Sequence, residues 1–170
     1  DLTKEVIDAD GWFHTGDIGE LVEGKYLKIT DRKKEIFKTS GGKYIAPLPM
    51  ENKFKESVLI EQIMVIGENQ KLAAALIFPS FDNLKEWCGN NNVEFSSRQE
   101  IIKNEKVLKE FHRVINQYNQ NFGAWEQLKK FELVSDEWTP ESGLLTPTLK
   151  LKRKIIAKKY EDLINKIYAS

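Results

Sequence analysis

The chain has 170 residues, 41% of them hydrophobic and 11% aromatic, which is enough for one domain with a buried core, or for one domain with an appendage. Its 26 basic and 26 acidic residues give a formal net charge of zero, so no overall field favours DNA or an anionic membrane as a partner. The single cysteine excludes an internal disulfide framework, and the sequence shows neither a signal peptide nor an apolar run near the roughly 20 residues of a membrane span. Because the first residue is Asp1, we expect an excised piece whose targeting information lies elsewhere.

Apolar periodicity and turn residues divide the chain into short strands and helices. Gly24 lies between two apolar runs and permits the positive φ of a tight hairpin turn, while Pro47 and Pro49 are tolerated in the first turn of a helix. Two later segments show apolar residues at helical spacing. In chain order we predict strands over 18–22 and 26–29, a linker and strand over 31–38, a loop at 41–42, a helix over 50–58, antiparallel strands over 60–66 and 72–78, helices over 81–88 and 104–120, a strand over 130–134, and a helix over 151–168.

These elements predict an α+β fold. A central, mainly antiparallel three-stranded sheet is packed by helices and preceded by a β-hairpin. We expect Trp87, Trp125 and Trp138 to pack in the core or at its rim. His14 and His112 are far apart in sequence and do not favour a metal site, so no metal ligands are predicted.

The first motif that can carry chemistry is Thr15-Gly16-Asp17, immediately before a predicted strand. The Asp17 carboxylate can accept two hydrogen bonds from a ribose diol, and the glycine lets the backbone approach closely. The ordinary alternative is a turn aspartate, because turns favour these residue types.

The second motif, residues 31–43, brings five cations and two adjacent glycines together just after the hairpin. Arg32 offers a rigid fork for ribose or phosphate oxygens, and Lys34 and Lys38 share its parity, so an alternating strand would place all three on one face. Gly41 and Gly42 allow a ligand to approach without a Cβ in the way. The alternative is a solvated basic edge that discourages aggregation.

The third motif, LTPTLKLKR at 145–153, precedes the terminal helix. Lys150 lies on a loop bounded by proline, from which its ammonium group can reach a phosphate and a carboxylate together and stabilise the charge that develops between them. The alternative is the basic start of a helix with ordinary exposed lysines.

Together and in this order, the three motifs resemble the carboxyl-terminal region of the AMP-forming acyl- and aryl-CoA synthetase, adenylation-domain and luciferase superfamily. The resemblance covers essentially the whole chain. Residues 31–47 (DRKKEIFKTSGGKYIAP) and 145–153 are similar to the long-chain fatty-acid–CoA ligase branch. The resemblance implies that 1–30 is the tail of a large amino-terminal domain, and that 31–170 is a small mobile carboxyl-terminal domain with a helical insertion at about 81–128.

The resemblance also implies roles for individual residues. Asp17 and Arg32 correspond to the residues that hold the ribose of ATP and AMP, and Asp31 corresponds to the hinge between the two domains. Lys150 corresponds to the lysine that bridges the carboxylate and the α-phosphate during adenylation. Leu149 stands where many relatives have glycine, so a register shifted by two residues stays open for the lysine.

Lys38 with the loop of Gly41 and Gly42 corresponds to the opposite face of the domain. In the family this face helps to form the passage for the pantetheine thiol of CoA in the second step. The loop is slightly longer than in the luciferase-like branch, so either glycine can be the one that serves the thioester step.

The implied activity is that of an ATP-dependent, AMP-forming acid–thiol ligase, which converts a fatty acid to acyl-AMP and then to acyl-CoA by domain alternation about Asp31. ATP or AMP, Mg²⁺ and CoA are its implied cofactors and substrates, and its own amino-terminal domain is the implied partner. The family's phosphate loop, adenine platform and acyl tunnel belong to that domain, so we expect the fragment alone to bind no cofactor and to have no ligase activity. The implied location is the cytoplasm, with peripheral association with a membrane left open.

Other functions remain as alternatives. The acid can be an aryl or short-chain acid, and the acceptor can be a carrier protein in place of CoA. A nucleic-acid module using the basic terminal helix would lack a recognition motif and a net positive charge. A protein-interaction domain, with the 81–128 segment docking a partner, is compatible with catalysis.

Overall fold

The fold is described from a computed structural model, which covers residue 3, residues 6–33 and residues 35–169, without the side chains of Asp31 and Arg32. Lys34, predicted to share a face with Arg32 and Lys38, lies outside the described residues. The elements are β1 (Asp17–Val22), β2 (Tyr26–Arg32), β3 (Phe37–Lys38), β4 (Tyr44–Ile45), α1 (Pro47–Phe54), β5 (Ile60–Ile66), β6 (Ala73–Pro79), α2 (Phe81–Asn90), α3 (Arg98–Ile101), α4 (Glu105–Asn119), β7 (Leu128–Leu133), α5 (Arg153–Lys159) and α6 (Glu161–Ala169).

The core is a three-stranded sheet in the order β5-β6-β7. The pair β5–β6 is antiparallel and the pair β6–β7 is parallel. A parallel pair needs a long crossover, and α2, α3 and α4 lie in the chain between its two strands. Every residue of the central strand β6 is buried, which explains its uninterrupted apolar sequence. The predicted α+β class and the three-stranded sheet are confirmed, whereas the prediction that this sheet is mainly antiparallel was wrong, because one of its two pairs is parallel.

Helix α4 covers the sheet as its periodicity predicts. Its start is capped by Asn104, whose side-chain oxygen accepts the N–H groups of Lys106 and Val107 at 2.9 and 3.4 Å. At its other end, the buried Asn119 side chain donates to the Leu128 carbonyl and accepts the Leu128 N–H, both at 2.9 Å. These two bonds fix the helix end to the first residue of β7. The apolar stripe consists of the buried residues Val107, Phe111, Val114 and Ile115.

Two helix predictions were wrong at their ends. Helix α1 ends at Phe54, four residues before the predicted end. The predicted terminal helix is two helices, because Tyr160 between them leaves helical geometry with φ −107° and ψ 26°. Its ring lies 6.1 Å from that of buried Trp138, and its hydroxyl donates to Asp136 at 3.2 Å. Trp138 therefore packs as predicted.

The first hairpin, β1–β2, extends further than predicted. Asp31 and Arg32 belong to β2, where their backbones pair with Ile18 and Asp17. The Lys33 N–H then donates to the Gly16 carbonyl at 2.8 Å, which ends the ladder, and β3 begins only at Phe37. The prediction of a linker followed by one strand over 31–38 was therefore wrong, and the shared face of Arg32 and Lys38 is not formed by a continuous strand.

The hairpin region carries a row of exposed apolar side chains. Most large apolar residues after position 45 are buried in one core, whereas those before position 30 face solvent. The exposed residues are Trp12, Phe13, Leu21, Tyr26, Leu27 and Ile29. Leu21, Leu27 and Ile29 lie on one side of the hairpin, which we call the apolar hairpin face, whereas Tyr26 lies on the other side. Within the described ranges, none of the helices has both the length and the apolar character to cross a bilayer.

Candidate functional site

A cavity of about 380 Å³ lies between the first hairpin and the body of the domain. Asp17 and Ile29 line it from the hairpin, and Lys150 lines it from the loop before α5. The structure thus brings the predicted ribose-binding aspartate and the predicted adenylation lysine to one cavity, although almost the whole chain separates them in sequence. We call this space the Asp17–Lys150 cavity.

The hairpin side of the cavity is shaped by the Thr15-Gly16-Asp17 turn. Gly16 adopts φ +77°, which favours glycine, and the Asp17 N–H donates to Thr15 Oγ1 at 3.1 Å. Asp17 pairs with Arg32 across the hairpin, so the two predicted nucleotide-binding residues are backbone neighbours. The side chains of Arg32 and Asp31 lie outside the described residues, and their roles stay predictions.

A closed loop presents Lys150. The Thr146 N–H donates to the Lys150 carbonyl at 2.8 Å, and the Lys150 N–H donates to Thr146 Oγ1 at 3.0 Å. Leu149, between them, adopts φ +59°, a left-handed conformation that costs a non-glycine residue about 1–2 kcal/mol. Lys152 and Lys154 line a second cavity of about 670 Å³, on the side of Tyr168.

A buried ion-pair cluster lies against the floor of the cavity. Arg153 donates from both terminal nitrogens to the two carboxylate oxygens of Glu51, each at 2.7 Å, and from Nε to Glu35 at 3.1 Å. Glu51 is 3% exposed and also accepts the Val65 N–H at 2.8 Å. Burial raises the pKa of Glu51, while the Arg153 contacts and the Val65 N–H act in the opposite direction. The sequence alone does not reveal this cluster, because no local pattern links positions 35, 51 and 153.

The glycine loop closes the second, smaller hairpin, β3–β4. The Thr39 N–H donates to the Lys43 carbonyl at 2.9 Å, and the Gly42 N–H donates to the Thr39 carbonyl at 2.9 Å. Gly42 adopts φ +80°, whereas Gly41 lies outside the left-handed region. A Cβ on Gly41 would meet no atom closer than Thr39 Oγ1 at 4.0 Å. The fold therefore explains the glycine at position 42 and leaves the glycine at position 41 unexplained.

Two lysine–aromatic pairs flank this glycine loop. Lys38 Nζ lies 5.6 Å from the ring centroid of Tyr44, and Lys43 Nζ lies 5.4 Å from that of Trp125. Tyr44 is 66% exposed and Trp125 is 54% exposed, so of the two places expected for Trp125, the core and its rim, the core is excluded. Lys43-Tyr44 could have been noticed beside the glycines, but only the fold brings Trp125 there.

The glycine loop and the Asp17–Lys150 cavity are separate surfaces. Lys38, Gly41 and Gly42 are not among the described residues that line the cavity. In the part of the chain that the structure describes, no three His, Cys, Asp or Glu side chains are grouped to hold a metal ion.

Comparison with known proteins gives one matching family model and a set of curated relatives. Residues 34–170 match the AMP-binding enzyme C-terminal domain model. The chain is 38% identical over 171 residues to long-chain-fatty-acid–CoA ligase 5 of Mus musculus, covering 99% of this chain and 25% of that protein. It is 35% identical over 161 residues to long-chain-fatty-acid–CoA ligase FadD15 of Mycobacterium tuberculosis, covering 94% of this chain and 27% of that protein. The chain thus spans about a quarter of the length of these relatives.

Solved structures show the same fold. The adenylation domain of a carboxylate reductase from Mycobacterium chelonae matches 99% of this chain and 25% of its own, with a TM-score of 0.77 and 24% identity. The corresponding domain from Segniliparus rugosus, solved with AMP and a co-purified carboxylic acid, matches the same shares with a TM-score of 0.77 and 23% identity.

Proposed function

The chain belongs to the family of AMP-binding enzyme C-terminal domains, and from this we propose that it is the carboxyl-terminal part of a long-chain fatty-acid–CoA ligase. The full-length protein would activate a fatty acid with ATP and transfer the acyl group to CoA. The identity of 38% and 35% to two named long-chain ligases supports this branch over ligases for aryl or short-chain acids.

The observation that carries the proposal is the Asp17–Lys150 cavity. A carboxylate that suits a ribose diol and an ammonium group that suits an α-phosphate line one space of about 380 Å³. Phosphoryl and acyl oxygens that become negative in the reaction are stabilised by a fixed positive charge in such a site. Lys150 is the lysine of its segment that lines the cavity, whereas Lys152 and Lys154 line the other one, which supports the unshifted register.

The division into domains is part of the proposal. We place the boundary after residue 30, with residues 1–30 as the end of a large amino-terminal domain and Asp31 as the hinge. The apolar hairpin face supports this division, because contiguous exposed apolar surface marks a site of contact with another protein surface. The share of about a quarter of each curated relative leaves room for that domain.

In the first step, a carboxylate oxygen of the fatty acid forms a bond to the α-phosphorus of ATP, and the bond from that phosphorus to the bridging oxygen breaks. Acyl-AMP and pyrophosphate result. Asp17 holds the ribose hydroxyls, and Lys150 offsets negative charge on the carboxylate and α-phosphate oxygens. None of the described residues is given a metal-binding role in this step.

In the second step, the small domain rotates and presents its other face, a hinge motion in which a few φ and ψ changes exchange one set of side chains for another. The thiol sulfur of CoA attacks the acyl carbonyl carbon, AMP leaves with the electron pair of the broken bond, and the thiol proton passes to solvent. Lys38, Gly41 and Gly42 form part of the thiol passage. The exposed lysines beside Tyr44 and Trp125 suit the phosphate groups of CoA by charge.

The direct test is to assay the full-length protein for AMP release with a long-chain fatty acid, ATP and CoA, beside benzoate and acetate. We expect activity to depend on the long-chain acid and on CoA. A clear preference for benzoate or acetate, or for a carrier-protein acceptor, would assign the chain to another branch of the family.

Asp17→Asn in the full-length protein is expected to raise KM for ATP roughly 10- to 100-fold, since hydrogen bonds to a charged group contribute about 1.5–3 kcal/mol. The measurement is steady-state ATP–pyrophosphate exchange. Asp10→Asn, on the same amino-terminal segment but outside the cavity, is the matched control. An unchanged KM in the Asp17 variant would remove this residue from the ribose site.

Gly41→Ala and Gly42→Ala are expected to separate function from folding. Gly42→Ala should destabilise the domain by about 1–2 kcal/mol, because it forces an L-residue into a positive φ. Gly41→Ala should change the stability by less than about 0.5 kcal/mol and still slow thioester formation, because its Cβ enters the proposed thiol passage. Urea unfolding and assays of each half-reaction measure the two effects. Normal thioester formation in Gly41→Ala would move the passage elsewhere.

A further inference from the structure

We propose that Arg153 is a positioning residue that holds Lys150 in place for acyl-adenylate formation, an inference that rests on the function proposed above. Arg153 lines the Asp17–Lys150 cavity, but its guanidinium group is engaged by Glu51 and Glu35. It acts by fixing the backbone that carries Lys150 to two other parts of the chain. One is the rigid core and the other is the segment that follows the hinge.

The attachment to the core runs through Glu51. Both oxygens of this carboxylate accept hydrogen bonds from Arg153 at 2.7 Å, and one also accepts the Val65 N–H of β5 at 2.8 Å. Bidentate pairing between a planar guanidinium and a carboxylate fixes direction as well as distance. Since Glu51 lies in α1 and is almost fully buried, the start of α5 is tied to the central sheet.

The backbone between Arg153 and Lys150 is short and is held by hydrogen bonds. Leu151 forms a bridge with Leu145, and the Lys152 N–H donates to the Leu144 carbonyl at 2.9 Å. The loop of Thr146 and Lys150 closes on itself directly before this bridge. Lys150 directly precedes this bridge, so the backbone fixes the point from which its side chain reaches the cavity.

The third contact of Arg153 reaches the segment after the hinge. Its Nε lies 3.1 Å from a carboxylate oxygen of Glu35, and both side chains are largely shielded from solvent. The Arg153 guanidinium therefore connects the backbone that carries Lys150 to the segment after the hinge. A displaced Arg153 would misplace the lysine relative to the substrate held at Asp17, and misplacement by about 1 Å can cost about 100-fold in rate.

This role predicts a split between the two half-reactions. Lys150 acts in adenylation, whereas the glycine loop faces the substrate in the second step. Arg153→Lys keeps the positive charge and loses the bidentate fork. We expect it to lower kcat for acyl-adenylate formation by about 10- to 100-fold, with KM for ATP and thioester formation from supplied acyl-adenylate each within about twofold.

The experiment measures both half-reactions of the full-length protein for Arg153→Lys and for Glu35→Gln. Glu35 is about a third exposed, so its variant should fold even if the first does not. Arg113→Lys is the matched control, because Arg113 also holds a glutamate, Glu110, through Nε at 2.9 Å and a terminal nitrogen at 2.7 Å, but on an exposed part of α4. Circular dichroism confirms the folded fraction of each variant.

We expect Glu35→Gln to lower adenylation severalfold and to spare the second step, and Arg113→Lys to behave as wild type. Equal loss of both half-reactions in the folded variants, or loss of neither, would overturn the positioning role. Lys150→Ala, assayed in parallel, separates this inference from the proposed function. If Lys150→Ala abolishes adenylation and Arg153→Lys spares it, only the inference fails; if Lys150→Ala is itself active, the role proposed for Lys150 fails, and the inference fails with it.

Discussion

Replacing Lys150 by alanine in the full-length protein is expected to slow acyl-adenylate formation by about 10²- to 10³-fold, the cost of removing one preorganised group that stabilises developing charge. Thioester formation from supplied acyl-adenylate should be largely spared, because in the proposed mechanism the domain has by then turned its glycine loop to the substrate. Single-turnover assays of each half-reaction measure the two rates. The difference between them tests the alternation of two faces as well as the role of the lysine.

The matched control is Lys154→Ala. Lys154 is exposed in the same segment but lines the second cavity, so its loss should leave both half-reactions unchanged. If Lys154→Ala or Lys152→Ala abolished adenylation while Lys150→Ala did not, the register of the motif would be shifted. Equal loss of both half-reactions in Lys150→Ala would contradict a role confined to one face.

Arg153→Met is expected to destabilise the 170-residue chain by about 3–5 kcal/mol, the cost of leaving a buried charge without its partner. The charge is that of Glu51, which is 3% exposed and would keep only the Val65 N–H. Urea unfolding followed by circular dichroism measures the loss. Arg113→Met, on the solvent side of α4, is the control, because a surface ion pair contributes at most about 1 kcal/mol.

The loss in Arg153→Met should depend on pH in a defined direction. Burial already raises the pKa of Glu51, and removing Arg153 removes the main opposing contribution. A carboxyl group whose pKa is higher in the folded state than in the unfolded state favours folding as it takes up a proton. The destabilisation should therefore shrink as the pH falls towards the pKa of the buried group, and should be largest at neutral pH. A loss that does not vary with pH would show that Glu51 is not the source of the cost.

Local patterns predicted most of the elements. The first hairpin, β5, β6 and α4 followed from turn glycine, apolar runs and helical spacing. The prediction of a single terminal helix was wrong, because apolar periodicity does not detect the break at Tyr160. Contacts of Tyr160 with Trp138 and Asp136 stabilise this break. The parallel pairing of β7 with β6 could not be predicted from local patterns either, because the direction of a strand depends on the crossover that precedes it and not on its own sequence.

For the site, the sequence indicated candidate residues but not the contacts that hold them in place. Asp17 and Lys150 were identified by resemblance, and their common cavity appears only in the folded chain. The contacts of Arg153 with Glu51 and Glu35 join positions about 100 residues apart, and no periodic pattern encodes such a pairing. The exposure of Trp125 could not be predicted either, because a large apolar side chain is expected to be buried unless the fold places it at the surface.

The apolar hairpin face also governs how the 170-residue chain behaves as a solute. The net charge of the chain is zero, so copies do not repel one another over long distances. Attraction between exposed apolar side chains is then not opposed by charge. We therefore expect concentrated samples to associate through the hairpin at low ionic strength as well, because this contact is not ionic. Polar substitutions at Leu21 and Leu27 would therefore be the first choice for obtaining a monodisperse sample.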